Sequence, residues 1–274
     1  MRCASSRCLG LYALALGPTA LLGALAPRIQ LRGPASVAAA FVVSVIATVV
    51  SLARSCPSAE SSPRSQTTVH VVAACSSAGM SIALLRFVGP YSWSELFSGL
   101  VGSFGVLALG IWMGRSIGSR VAHPAHLLAV AFASGAVDIW STLSPAGPTH
   151  AIAERGSTAL LRVLTLSAPI APDRAPESML GIGDVIFAAL YVAAAERHAL
   201  SRIRTLSAVA AGLLLAGGVA VAMRRPVPAL PFVGAAVVAL QSGTWRVLRR
   251  DVLPTAVAGA AFVAAVAVAL RRIQ

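Results

Sequence analysis

Nine stretches of roughly 20 largely apolar residues follow one another with only brief polar breaks, and a run of that length is what an α-helix needs to cross a bilayer. They cover approximately residues 9–26, 35–53, 69–88, 94–114, 125–143, 179–196, 205–223, 227–242 and 252–270. With 57% hydrophobic and 11% charged residues, against about 25% charged in an average soluble domain, the chain has too little polar surface to fold in water. The expected fold class is all-α, a polytopic transmembrane helical bundle of about nine spanning helices, forming a single integral membrane domain over residues 1–274.

The net charge of +13 comes from 22 basic residues, every one of them arginine, lying mainly where the apolar runs end. Basic residues at such positions set topology and meet lipid headgroups, so the expected partner is the bilayer and not nucleic acid. Exclusive use of arginine together with abundant alanine points to a GC-rich prokaryotic genome, hence a prokaryotic cell membrane. The start of the chain imitates a signal peptide, with Arg2 and Arg7, an apolar run from Leu9 and small residues at Ala24 and Ala26. Pro27 directly after that site hinders cleavage, and a retained first helix is expected. Cys3, Cys8, Cys56 and Cys75 have neither zinc spacing nor a disulfide pattern. His123 and His126 sit three apart without further ligands, so interfacial packing is expected there and no metal or other cofactor.

Against this background two acids stand out. Asp138 and Asp184 alone lie inside long apolar runs, while Glu60, Glu95, Glu154, Asp173, Glu177, Glu196 and Asp251 fall at run ends or between runs. A carboxylate at bilayer depth costs about 2.5–3.5 kcal/mol on insertion scales, so its presence points to chemistry or ion handling. Asp184 closes the tetrad Gly181-Ile182-Gly183-Asp184. A connection from 144 to 178, containing Ser144-Pro145-Ala146-Gly147-Pro148 and Pro169, Pro172 and Pro176, joins the two acid-bearing runs. Either a functional loop or a plain solvated linker fits it.

Asp138 falls about five residues before its run ends, and Asp184 about five after the next begins. At a rise of about 1.5 Å per residue, both are expected roughly 8 Å from the same membrane face. The run at 205–223 returns to that face, turns at Arg224-Arg225-Pro226 and re-enters through Pro228-Ala229-Leu230-Pro231. Prolines at 228 and 231 prevent a regular first turn, and irregular backbone at that depth has to be buried in protein or line a wet cavity. Such a segment can hold an extended peptide by strand addition. Two carboxyls at hydrogen-bonding distance share one proton, the state required for acid–base peptide hydrolysis. Gly181 and Gly183 let a substrate or a neighbouring helix come close.

In the order and placement of these motifs the chain resembles the presenilin and signal-peptide-peptidase family of intramembrane aspartyl proteases. Asp138 corresponds to that family's first catalytic aspartate, Gly181 to Asp184 to its Gly-x-Gly-Asp motif, and Pro228-Ala229-Leu230 to its Pro-Ala-Leu motif. Ser144-Pro145-Ala146-Gly147-Pro148 and Val185-Ile186-Phe187 are similar to stretches of the presenilin branch. The resemblance covers about residues 134–242. It implies Asp138 and Asp184 as the catalytic pair, a substrate site shaped by Gly181, Gly183, Pro228, Ala229, Leu230 and Pro231, and transmembrane proteins or peptides as substrates. Val137 stands where the family usually carries tyrosine, and one apolar run follows the Pro-Ala-Leu run where the family has none. From another class, a proton- or cation-coupled transporter uses the same buried carboxylates and broken helices. An inactive scaffold and a prepilin-peptidase-like enzyme rank below both.

Overall fold

Helices form where the apolar runs fall on described residues, because a helix satisfies its interior backbone N–H and C=O groups within one segment. A computed structural model describes residues 16, 17, 20, 34–54, 72, 73, 75–77, 79–81, 93–149, 151, 163–168, 177–241 and 249–273. The molecule is mostly helical. Among the described residues the main elements are α1 (Pro34–Arg54), α2 (Trp93–Gly118), α3 (His126–Leu143), β1 (Thr165–Ala168), β2 (Glu177–Gly181), α4 (Ile182–Arg197), α5 (Arg202–Met223), α6 (Leu230–Leu240) and α7 (Val252–Ile273). Among the described residues, three segments are long and apolar enough to cross a membrane: Phe97–Gly118, His126–Leu143 and Arg202–Met223. Val37–Ala53, Leu230–Leu240 and Val252–Val268 are shorter apolar helices. The runs at 9–26 and 69–88 lie largely outside the described residues.

The expected helical architecture is accompanied, among the described residues, by one short β-ribbon. β1 and β2 pair as an antiparallel ribbon, with Thr165 opposite Gly181, Leu166 opposite Leu180, Ser167 opposite Ser178 and Ala168 opposite Glu177. The pairing leaves Met179 as the extra residue of a bulge. The helix expected from residue 179 therefore starts at Ile182, and the connection from 144 to 178 holds one strand and the beginning of the other. Glycine costs roughly 1 kcal/mol relative to alanine in a helix, so Gly181 and Gly183 give a helical start little support, whereas the ribbon pairs the same backbone.

Two compact units are formed, Met1–Met113 with Ser157–Ala189 and Gly114–Gly156 with Leu190–Gln274. In the first, α1 buries Ala40, Val45, Ala47 and Leu52. Ser44 and Thr48 are buried with them, each donating its hydroxyl to the carbonyl four residues back at 2.9 Å, which removes the cost of an unpaired polar group. The ribbon is held from two directions. Met179 packs beside Val37 against Ala40. On the other strand, the Ser167 amide donates to Ser103 Oγ of α2 at 3.0 Å.

In the second unit, α3 packs on α6 and α7, and α5 packs on α6. One end of this bundle is tied by polar contacts. Glu196 pairs with Arg115 at 2.8 Å and with Arg202 at 3.0 Å, joining the ends of α2 and α4 to the start of α5. Arg197 reaches the Ser119 carbonyl, and His198 donates to the Val121 carbonyl at 2.9 Å. Gln241, just past α6, donates to the Ser201 carbonyl at 2.9 Å and to Thr205 Oγ1 at 2.8 Å. His126 and Asp251 meet at 3.1 Å, linking the starts of α3 and α7. The opposite end of α3, carrying Asp138, is left to meet the start of α6.

The α5–α6 contact depends on Gly212, where an added Cβ would stand 2.6 Å from the Cα of Val233. Backbone cannot rotate out of the way as a side chain can, so the helices would have to separate. Gly212→Ala is expected to lower stability by about 1–3 kcal/mol. At Gly218 a Cβ would meet nothing within 4 Å, so Gly218→Ala is expected to be neutral or slightly stabilising. Thermal unfolding of both variants in detergent checks the contrast.

Candidate active site

Helix α3 has two unlike faces near its end. Ile139, Ser141 and Thr142 are buried, whereas Val137 and Trp140 are exposed at 62% and 51%. Asp138 lies between these faces, partly buried. Val137 thus points outward, and the acid finds its partners elsewhere.

Those partners are the first backbone amides of α6. The start of a helix leaves four N–H groups without intrahelical acceptors. In α6 they belong to Ala229, Leu230, Pro231 and Phe232, with Ala229 as the N-cap. Proline has no N–H, and the Phe232 amide closes on the Ala229 carbonyl at 3.1 Å. Two donors remain. Leu230 N–H donates to Asp138 Oδ2 at 2.9 Å, and the Ala229 amide points at the same carboxyl group. Asp138 caps a helix 92 positions further along the chain. Thr142, one turn on, donates its hydroxyl toward Asp138 Oδ1 at 3.4 Å.

The prolines of Pro228-Ala229-Leu230-Pro231 therefore act differently from expectation. Irregular backbone is present from Pro226 to Ala229, as foreseen. Its two central amides, however, turn to Asp138 and not outward to receive a peptide strand, and the Leu230 side chain is buried.

Asp184 occupies an analogous place in the first unit. It is the third residue of α4, and Gly181, immediately before the helix, donates its amide to Asp184 Oδ2 at 2.9 Å. This is the return half of a capping box, in which a side chain in the first turn satisfies the N-cap amide. Gly181 has no side chain for the other half. A Cβ there would be 3.6 Å from Asp184 Oδ2, and one at Gly183 would meet nothing within 4 Å. Gly183 is thus an uncrowded position beside the acid.

The structure brings Asp138, Ala229 and Leu230 together, flanked by Pro228 and Pro231, and sets Asp184 with Gly181 in the ribbon-bearing unit. Sequence reading missed Thr142, although a hydroxyl four residues from an acid on one helix is a legible pair. It also missed the ribbon that ends on Gly181. Among the described residues, no three His, Cys, Asp or Glu side chains gather as a metal site. His126 pairs with Asp251, and His123 Nδ1 accepts the Ala125 amide at 3.2 Å. Cys75 is free and exposed, while Cys3, Cys8 and Cys56 lie outside the described residues.

Removing the Asp138 carboxylate strands two amides at the start of α6. Asp138→Ala is expected to cost about 1–2 kcal/mol, the usual loss of a helix cap. Asp138→Asn keeps an acceptor oxygen and is expected to cost less. Detergent-phase unfolding of the two variants against wild type checks the order.

No protein-family model, curated protein or solved structure matches this chain.

Proposed function

We propose that the chain is an intramembrane aspartyl endopeptidase of the presenilin and signal-peptide-peptidase type, multi-pass in a prokaryotic membrane, hydrolysing peptide bonds in transmembrane segments of other proteins. The hydrogen bond from Leu230 to Asp138 carries this reading, because it joins two motifs that the resemblance requires at one place. Asp184 supports it from its own unit, held by the glycine that opens its motif.

In this mechanism Asp138 and Asp184 share one proton across a substrate peptide and a water molecule. The ionised carboxylate takes a proton from water as the oxygen attacks the scissile carbonyl carbon, and the protonated partner donates to the carbonyl oxygen. A tetrahedral diol results. It collapses when the C–N bond breaks, the leaving nitrogen accepts a proton, and one proton returns to the pair. Charge is balanced throughout and no cofactor is needed. The Leu230 amide on Asp138 Oδ2 fixes the group's orientation, which removes rotational freedom before reaction. An extended peptide added along β2 would end beside Asp184, because that strand stops at Gly181.

Reconstitution in proteoliposomes with a helical membrane substrate tests the proposal. Asp138→Asn and Asp184→Asn are each expected to slow cleavage by roughly 10²–10⁴-fold, the usual contribution of general acid–base catalysis. Both should retain a cooperative unfolding transition. Full cleavage by either variant overturns the proposal, and carboxylate-dependent solute uptake without proteolysis identifies a transporter instead.

A further inference from the structure

The polar end of the second unit is stitched together from segments far apart in the chain. Glu196, at the close of α4, holds Arg115 near the end of α2 and Arg202 at the start of α5. His198 reaches the Val121 carbonyl, Gln241 after α6 reaches Ser201 and Thr205, and Asp251 before α7 meets His126 at the start of α3. These bonds bring the ends of the helices to one level. Arg120, Arg197, Arg204 and Arg249 stand at this level too, and all four are exposed. The acids beside them, Glu196 and Asp251, are engaged within the network. Among the described residues no ion pair takes up the four exposed guanidinium groups.

The opposite end has a different character. Over the 18 residues from His126 to Leu143, α3 rises about 27 Å, close to the hydrocarbon thickness of a bilayer. Helix α7 runs beside it from the same starting level, its Phe262 lying over Gly135 and against Phe132. At the far level the exposed arginines among the described residues are Arg224, Arg225 and Arg271. The acid at that level is Asp138, which takes the Leu230 amide. Six described arginine side chains therefore stand at one level of this unit and three at the other. Guanidinium groups match phosphate geometry, anionic lipids concentrate in the cytoplasmic leaflet, and an excess of basic residues beside spanning helices marks the cytoplasmic side.

We propose that the arginine-bearing end of the second unit docks on the phosphates of anionic lipids in the cytoplasmic leaflet, which turns the Asp138–Leu230 bond toward the opposite side of the membrane. The inference rests on the multi-pass reading and deepens the proteolytic one. A peptide bond presented to Asp138 comes from the outer half of a spanning segment.

Ala122 and Ala146 lie just before and just after α3, and both are exposed. With Cys3, Cys8, Cys56 and Cys75 replaced by serine, Ala122→Cys and Ala146→Cys are made singly. Each is treated with a membrane-impermeant maleimide in right-side-out and in inverted bacterial membrane vesicles. Ala146→Cys is expected to react in the right-side-out vesicles and Ala122→Cys in the inverted ones. The reverse pattern overturns the inference and leaves the spanning reading intact, whereas labelling of both in the same vesicles removes the spanning reading as well. Docking is tested by native mass spectrometry of the detergent-solubilised protein with phosphatidylglycerol or phosphatidylcholine added. A preference for phosphatidylglycerol is expected, falling by about fivefold for each of Arg120→Gln, Arg204→Gln and Arg249→Gln. Equal binding of the two lipids, a triple variant that keeps the wild-type preference, or a loss confined to Arg224→Gln and Arg225→Gln overturns the docking. Neither readout uses cleavage, so failure here is distinct from failure of the protease reading.

Discussion

A helix that begins away from water has backbone N–H groups to satisfy, and this requirement organises the structure around its two unusual acids. Asp138 accepts from the opening of α6, and Asp184 accepts from the residue that opens its own helix. In each case a carboxylate oxygen stands where the partial positive charge of a helix start is concentrated. An acid in apolar surroundings is tolerable when donors of this kind solvate it. The same donors set its direction. Solvation and aim therefore come from one set of bonds, and the residues that supply them are the two motifs.

The sequence around each bond makes it selective. Flanking prolines in Pro228-Ala229-Leu230-Pro231 withhold two amides, and an internal bond uses up that of Phe232, so only Ala229 and Leu230 can serve an outside acceptor. At Gly181 the amide goes to Asp184 Oδ2 at 2.9 Å, so the strand ends beside the acid. Further support is by packing. Phe262 of α7 lies over Gly135, where an added Cβ would stand 2.8 Å from its ring, and tilts against Phe132 with ring centres 5.8 Å apart. The helix beyond the Pro-Ala-Leu run is thus built against the one that carries Asp138.

Much of this was legible beforehand, and the reasons for the remainder are specific. Counting apolar runs was enough to bring the end of α3 and the start of α6 to one face, because helix rise converts position into depth. The partner of each amide was not legible. Two prolines read as an irregular strand open to a peptide, since only the tertiary fold reveals that Asp138 already occupies the intervening donors. β1 and β2 escaped notice because four or five residues are too few for a period of two to stand out beside a long apolar run.

The distance between the Asp138 and Asp184 side chains measures directly whether the two acids act as a pair. With Cys3, Cys8, Cys56 and Cys75 replaced by serine, the double variant D138C and D184C can be treated in membranes with a short thiol-specific crosslinker. Efficient intramolecular linkage is the predicted result, because groups sharing a proton lie within hydrogen-bonding reach or one water apart. Failure to link, when each single cysteine still reacts with a monofunctional thiol reagent, would contradict the paired-acid account.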